Sequence, residues 1–205
     1  MAEEYKFCFL DLETTGHEPL RRVGDSLVIW HEIIDIGAVF CGEDLKVITE
    51  FETKVKPKHP ERCIPNIVNN FPERAGSGEW EDAPILTEAL VDLLNYCRKL
   101  GSKIVLIGQN FSFDWLFLSA GFAWSEISEQ RLSQIFDYAR LDTRSMAVQE
   151  LGCSKRYNPS DYSLRGDILS NRLGISRESY PRKAINGARQ SHLVFKKLRE
   201  IHTIL

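Results

Sequence analysis

Short apolar runs and polar punctuation alternate along the chain at spacings that predict a mixed α/β domain. Tyr5 to Leu10 is apolar apart from Lys6, and it runs into Asp11-Leu12-Glu13 before a Thr14-Thr15-Gly16 turn. Trp30 to Phe40 reads as a second strand, with Ile33, Ile34, Ile36, Ala38 and Val39 as its core positions. From Val47 to Val55 apolar and polar residues alternate, the pattern of a half-exposed strand. The connections among these three are too short for crossover helices, so an antiparallel meander is expected. His17 to Asp25 is a polar turn region, longer than a strand connection needs to be.

The second half of the chain predicts helices around one more strand. Leu86, Ala89, Leu90, Leu93, Leu94 and Cys97 form one stripe of an amphipathic helix over 86–100, closed by Gly101. Ile104 to Ile107 reads as a buried strand that Gly108 ends. Asn110 is the expected N-cap of a helix carrying Asp114 in its first turns. Further helices are predicted over 126–138, 143–151, 163–173 with Ser163 as cap, and 183 to about 202, with a polar loop at 153–161. Pro57 to Pro84 is the least regular stretch, with Ile64, Ile67, Val68 and Phe71 as its expected anchors.

Composition narrows the class. A chain of 205 residues, 43% hydrophobic and 27% charged, suits one α/β domain over residues 1–205 with a single sizeable core. No apolar run approaches the roughly 20 residues of a membrane span, and the acidic N-terminal segment lacks the plan of a signal peptide. Five scattered cysteines (Cys8, Cys41, Cys63, Cys97, Cys153), never in a Cys-x-x-Cys pair, argue against a zinc site or a disulfide framework. They fit a reducing intracellular setting, cytoplasm or nucleus. Charge is uneven: residues 1–139 carry 13 Lys+Arg against 23 Asp+Glu, a net of −10, and residues 140–205 carry 13 against 6, a net of +7, which sum to the overall −3. A basic segment on an acidic protein is a candidate footprint for a polyanion, or else a solvated helix surface.

Asp11 and Glu13, two apart on a strand, project from the same face. Alone they are either a solvated strand end or a pair that holds a hard cation such as Mg²⁺ or Mn²⁺. Gln109-Asn110-Phe111-Ser112-Phe113-Asp114 changes that balance. Together the two stretches resemble the first and second motifs of the DEDDh family of 3′–5′ exonucleases, with Gln109 where His is usual. Asp142-Thr143 and the Ser163-Leu164 to Arg172-Leu173-Gly174-Ile175 segment extend the resemblance over nearly the whole chain. It implies a ribonuclease H-like α/β fold, with antiparallel strands 1–3 in a mixed sheet and flanking helices. It also implies Asp11, Glu13 and Asp114 as catalytic metal ligands, and a nucleic-acid partner, DNA or RNA, single-stranded or at a 3′ end. Thr14, Thr15, Asn110, Arg182, Lys183 and Arg189 are the candidate strand contacts. Asn69, Asn70, Phe71 and Trp80 lie in a region that flanks the cleft in that family and are candidate nucleotide contacts, with local packing the stronger reading for each.

The third motif departs from the pattern. Arg182-Lys183-Ala184-Ile185-Asn186-Gly187-Ala188 aligns with His-x-Ala-x-x-Asp-Ala, so Arg182 stands where the family has its catalytic His and Gly187 where it has its last metal-binding Asp. Arginine stays protonated and cannot take a proton from water. Three acids can hold one Mg²⁺ or Mn²⁺ ion but are poorly placed for two. The expectation is a degenerate exonuclease-like domain that binds nucleic acid with weak or no cleavage. One alternative is an active enzyme recruiting an acid such as Glu178 or Asp161, with His192 a weak substitute base. Another is a protein-interaction scaffold.

Overall fold

A computed structural model describes residues 6–65, 67–101, 103–152, 166–176 and 178–204. Its centre is a five-stranded mixed sheet of β1 (Lys6–Thr14), β4 (Ile33–Cys41), β5 (Val47–Lys54), β6 (Ile104–Gly108) and β7 (Phe136–Asp142). The strand order is β5-β4-β1-β6-β7. β1, β4 and β5 pair antiparallel, as the meander predicted, while β6 runs parallel to β1 and β7 parallel to β6.

The alternation along β1 sends its side chains to two different cores. Cys8, Leu10 and Leu12 face α2 (Leu86–Lys99) and α3 (Ser112–Trp124), where they meet Leu90, Leu94, Phe117 and Phe122. Phe9 faces the other way, onto Ile185, Ala188 and Phe195 of α7 (Ala184–Ile204). Asp11 and Glu13 continue the Phe9 face, so the helix that covers the apolar half of that face also roofs its acidic end.

Two features let α7 lie close against the sheet. A Cβ built on Gly37, the ladder partner of Asp11, would stand 2.2 Å from the Ala184 carbonyl carbon and the Ile185 nitrogen. Only glycine permits that approach. The buried Asp35 carboxylate accepts the Ala184 N–H at 3.2 Å and lies 3.3 Å from Lys54 Nζ, so it holds the helix N-terminus in the manner of a cap.

Several elements differ from the sequence prediction. The polar stretch after β1 is a hairpin, β2 (Leu20–Val23) with β3 (Ser26–Ile29), turning at Gly24 with φ +60°. The second long strand begins at Ile33, because Trp30 packs against the Arg21 and Arg62 guanidinium groups at 3.8 and 4.8 Å. The 126–138 helix shrinks to α4 (Glu129–Ser133), and Phe136 to Asp142 extend as the edge strand β7. In the irregular region, a single 3₁₀ turn at Pro60–Arg62 and α1 (Phe71–Ala75) frame a small core of Ile34, Ile67, Phe71 and Trp80, so the two aromatics serve packing. α5 (Thr143–Ala147) continues as a π turn to Gly152, and α6 spans Gly166–Arg172. Ser163, Asp161, Cys153 and the 153–161 loop lie outside the described residues. Cys8, Cys41 and Cys97 are buried free thiols. No described helix is long and apolar enough to cross a membrane.

Candidate active site

β6 ends at Gly108, and its pairing with β1 ends at Phe9–Ile107. The backbone of β1 beyond that point therefore lacks a neighbour on this side. Asp114, in the first turn of α3, fills the gap: its Oδ1 accepts the Leu12 N–H at 3.0 Å. That bond fixes the second acidic motif against the first. A bulge between Glu13 and Thr14 breaks the ladder with β4 at the strand end.

A cavity of about 460 Å³ opens where these elements meet, lined by Asp11, Glu13, Thr14, Asn110, Asp114 and Arg182 among the expected residues. Gly187, Gln190, Ser191 and Val194 form its α7 wall. Their spacing of three and four marks one helix face, and it runs through Gly187, as the Ala184–Ala188 register predicts. A Cβ at Gly187 would lie 2.3 Å from Asp11 Oδ2. The position aligned with the family's last acid thus confronts the first acid, and the Asp11 carboxylate fills the space a side chain there would take.

Arg182 does not pair with Asp11 or Asp114. Its Nε lies 3.5 Å from Glu178 Oε2, a contact that brings a fourth carboxylate into the cavity wall. The electrostatics follow from crowding. Burial and the Asp114 charge, then Glu13 and Glu178, push Asp11 well above the usual carboxylate range, against a smaller pull from Arg182. Burial likewise raises Asp114 and Glu178. Glu13 is pushed up to about 7 by burial, opposed by a hydrogen bond from Asn69. Acids that resist ionising together gain most from a cation among them.

The donor set suits such a cation: Asp11, Glu13, Asp114 and Glu178 offer the oxygen ligands that Mg²⁺ and Mn²⁺ prefer. Two buried polar atoms on the cavity wall, Glu178 Oε1 and Ser170 Oγ, have no hydrogen-bond partner among the described residues. Yet no three His, Cys, Asp or Glu side chains among the described residues already form a metal-holding group. The sequence-predicted trio shares one cavity without closing on a point, because Asp114 is turned to the Leu12 amide and Asp11 to the face of Gly187.

The remaining candidates divide. Thr15 is fully buried and its hydroxyl accepts the Glu32 N–H, a structural role, while the Thr14 hydroxyl donates to the Gly16 carbonyl from the cavity wall. Asn110 is not a helix cap: it sits in the left-handed region at φ 62°, and its N–H donates to Asp142 Oδ1. That bond, with Thr143 Oγ1 donating to Gln109 Oε1, joins the second motif to the Asp142-Thr143 pair. Lys183 is exposed and outside the cavity wall. Arg189 turns away and pairs with Glu50 through Nε at 2.9 Å and Nη2 at 2.5 Å. His192 is buried, stacks edge-on against Phe9 and lies 3.0 Å from the Leu45 carbonyl, so it is a core residue and not a substitute base.

Sequence reasoning missed His17 and Gln190 in the cavity wall and assigned Asn69 to local packing. His17, exposed beside Phe113, follows the Thr-Thr-Gly turn directly. Asn69 is buried, with its amide donating to the Thr14 carbonyl. Gln190 stands one turn past Gly187. Only Gln190 carried a usable signal, its spacing from Gly187.

Similarity to known proteins agrees with this architecture. The chain is 25% identical over 200 residues to the DNA polymerase III PolC-type of Latilactobacillus sakei subsp. sakei (strain 23K), covering 98% of this chain but only 12% of that polymerase. In shape it is similar to a 3′-exonuclease solved in a study of 3′-end specific recognition of histone mRNA stem-loop, with a TM-score of 0.69 and 14% identity over 97% of this chain and 64% of that one. It is also similar to the zinc-bound E. coli ExoI–ssDNA complex, with a TM-score of 0.68 and 15% identity over 98% of this chain and 42% of that one. The chain spans less than two thirds of each of these relatives. The sequence pattern of the exonuclease family (RNase_T) matches residues 8–156, well over half the chain, and the chain belongs to that family.

Proposed function

We propose that the cavity binds the end of a nucleic-acid strand, single-stranded or at a 3′ terminus, and that the domain cleaves it weakly or not at all. The observation that carries this reading is the pairing of Gly187 with Asp11, which leaves the third motif with no acid at the point where it meets the first. Arg182 adds to it. A guanidinium at the position aligned with the family's base can bind a phosphate but cannot deprotonate water. Its side chain is 41% exposed, so it can exchange the long contact with Glu178 for a phosphate at the opening. Thr14, Asn110 and His17 offer further polar contacts along the opening. A divalent ion held by the carboxylates would supply electrophilic activation of a phosphodiester and of water. This chain's own residues would place the strand end against them and exclude bulk water.

One observation favours a second reading, an active metal-dependent 3′–5′ exonuclease: Glu178 brings a fourth acid to the cavity by another route. Labelled single-stranded DNA and RNA, incubated with the protein in Mg²⁺ or Mn²⁺ and in chelator, separate the two. Retention of intact strand with salt-sensitive binding supports the proposal. Stepwise shortening from the 3′ end at a sustained rate favours the active enzyme. Absence of binding at low ionic strength would leave the domain as a protein-interaction scaffold.

A further inference from the structure

We propose that Glu178 supplies a ligand for a single divalent cation, together with Asp11 and Glu13, in place of the acid absent at Gly187, and that Arg182 holds Glu178 in reserve until the cation arrives. The inference deepens the reading of this cavity as a nucleic-acid site, but its test uses no nucleic acid.

Glu178 lies on the segment leading into α7, nine residues before Gly187, outside the motif that aligns with the family pattern. Its side chain is only 8% exposed, yet one carboxylate oxygen, Oε1, is buried with no hydrogen-bond partner among the described residues. An unpartnered buried acceptor is costly unless something outside the chain satisfies it. The other oxygen lies 3.5 Å from Arg182 Nε, too long for a strong charged hydrogen bond, and the carboxylate is otherwise eased by the Lys183 N–H. Glu178 is close enough to Asp11 and Glu13 to act on the charge of both. The fully buried Ser170 hydroxyl, also unpartnered, lines the same cavity. Four carboxylates face this space against one guanidinium without converging on a point, so a divalent ion that offsets the excess has to draw the Asp11, Glu13 and Glu178 side chains together. Asp114 is the acid least available, since Oδ1 is engaged by the Leu12 amide.

Arg182 and the cation then compete for Glu178. An ion held by Glu178 would release Arg182 from it and leave the guanidinium available to a phosphate.

Calorimetric titration of the full chain with Mn²⁺, without nucleic acid, tests this on the parent and on Glu178→Gln, Glu178→Asp and Arg182→Gln. The parent is expected to bind one ion. Glu178→Gln, which keeps the shape and removes the charge, should weaken it by roughly tenfold or more, and Glu178→Asp by less. Arg182→Gln should tighten it, and by more in the parent than on the Glu178→Gln background, since the direct effect of Arg182 on Asp11 and Glu13 is common to both and a merely structural Glu178 would leave the two gains equal. Unchanged affinity in Glu178→Gln overturns the inference, as does a parent that takes up no Mn²⁺ at millimolar concentration. If Glu178→Gln is unfolded by circular dichroism, Glu178→Asp decides, alone and with Arg182→Gln: weaker Mn²⁺ binding and a smaller gain from Arg182→Gln than in the parent support the inference, while parental affinity and an equal gain overturn it. Strand binding in chelator, measured separately, reports on the proposed function alone.

Discussion

Gly187 stands so close to Asp11 that a Cβ on the glycine would meet the carboxylate at 2.3 Å from Oδ2 and 2.5 Å from Cγ. In an ordinary helix, Gly→Ala stabilises by about 1 kcal/mol. Here the methyl group would collide with Asp11, so Gly187→Ala should lose that gain and destabilise the domain. Removing the obstacle should recover it: in urea denaturation, Asp11→Ala/Gly187→Ala should be more stable than the sum of the single variants. A cycle additive to within about 0.5 kcal/mol would contradict the close approach.

Gly37→Ala should be more damaging, because its neighbours at 2.2 Å are backbone atoms of α7 and cannot rotate away. The helix must move off the sheet, at a cost of about 1–3 kcal/mol. The same denaturation experiment measures it. A Gly37→Ala protein as stable as the parent would mean that α7 docks less tightly than described.

The cavity acids give a pH dependence whose sign follows from their raised pKa. Glu13 titrates near 7 in the fold against 4.5 for an ordinary glutamate. The folded state therefore holds its proton more firmly than the unfolded chain does. Its contribution is fully present below about 4.5 and is lost as pH rises through about 7. His31 and His192, both held below the ordinary histidine value mainly by burial, act in the opposite direction on acidification. The quantity to read is consequently the difference in Tm between the parent and Glu13→Gln in chelator. Relative to the variant, the parent should lose stability from pH 5 to pH 8. A difference that stays flat over that range would refute the assignment.

What the sequence disclosed depended on how local each signal was. Asp11 and Glu13 were legible because a two-residue period on a strand fixes their common face, and Gly187 because Ala184 and Ala188 set the helix register around it. The β2–β3 hairpin was hidden by the brevity of its strands, four residues each. The edge strand at Phe136–Asp142 was hidden by a polar, half-exposed sequence that also suits a helix end. The left-handed backbone of Asn110 looks like a cap in sequence, since asparagine favours both. The turn of Arg182 to Glu178 and of Arg189 to Glu50 depends on how distant segments meet, which no local pattern encodes.

Those two arginines should behave differently toward nucleic acid. Arg189 is engaged by Glu50 on the far side of α7, so Arg189→Ala should leave strand affinity within about twofold, in keeping with the small worth of exposed pairs. Arg182→Ala should weaken binding across sequences and lower the salt dependence by about one phosphate contact. Fluorescence anisotropy on one labelled strand at several salt concentrations distinguishes them. Equal losses for both variants would place the strand along α7 and not at the cavity.

With Gly187 and Arg182 in place of an acid and a base, the third motif is expected not to support efficient cleavage. The direct measurement follows a 5′-labelled single strand in Mn²⁺ with the parent, Gly187→Asp and Arg182→His/Gly187→Asp. Gly187→Asp forces Asp11 to turn aside and returns an acid to the site. Arg182→His returns a base, a group that typically contributes about 10²–10⁴-fold. The parent should leave the strand nearly intact, Gly187→Asp should bind Mn²⁺ more tightly with little gain in rate, and the double variant should shorten the strand at well above the parental rate. A parent that degrades the strand as fast as the double variant would contradict the claim.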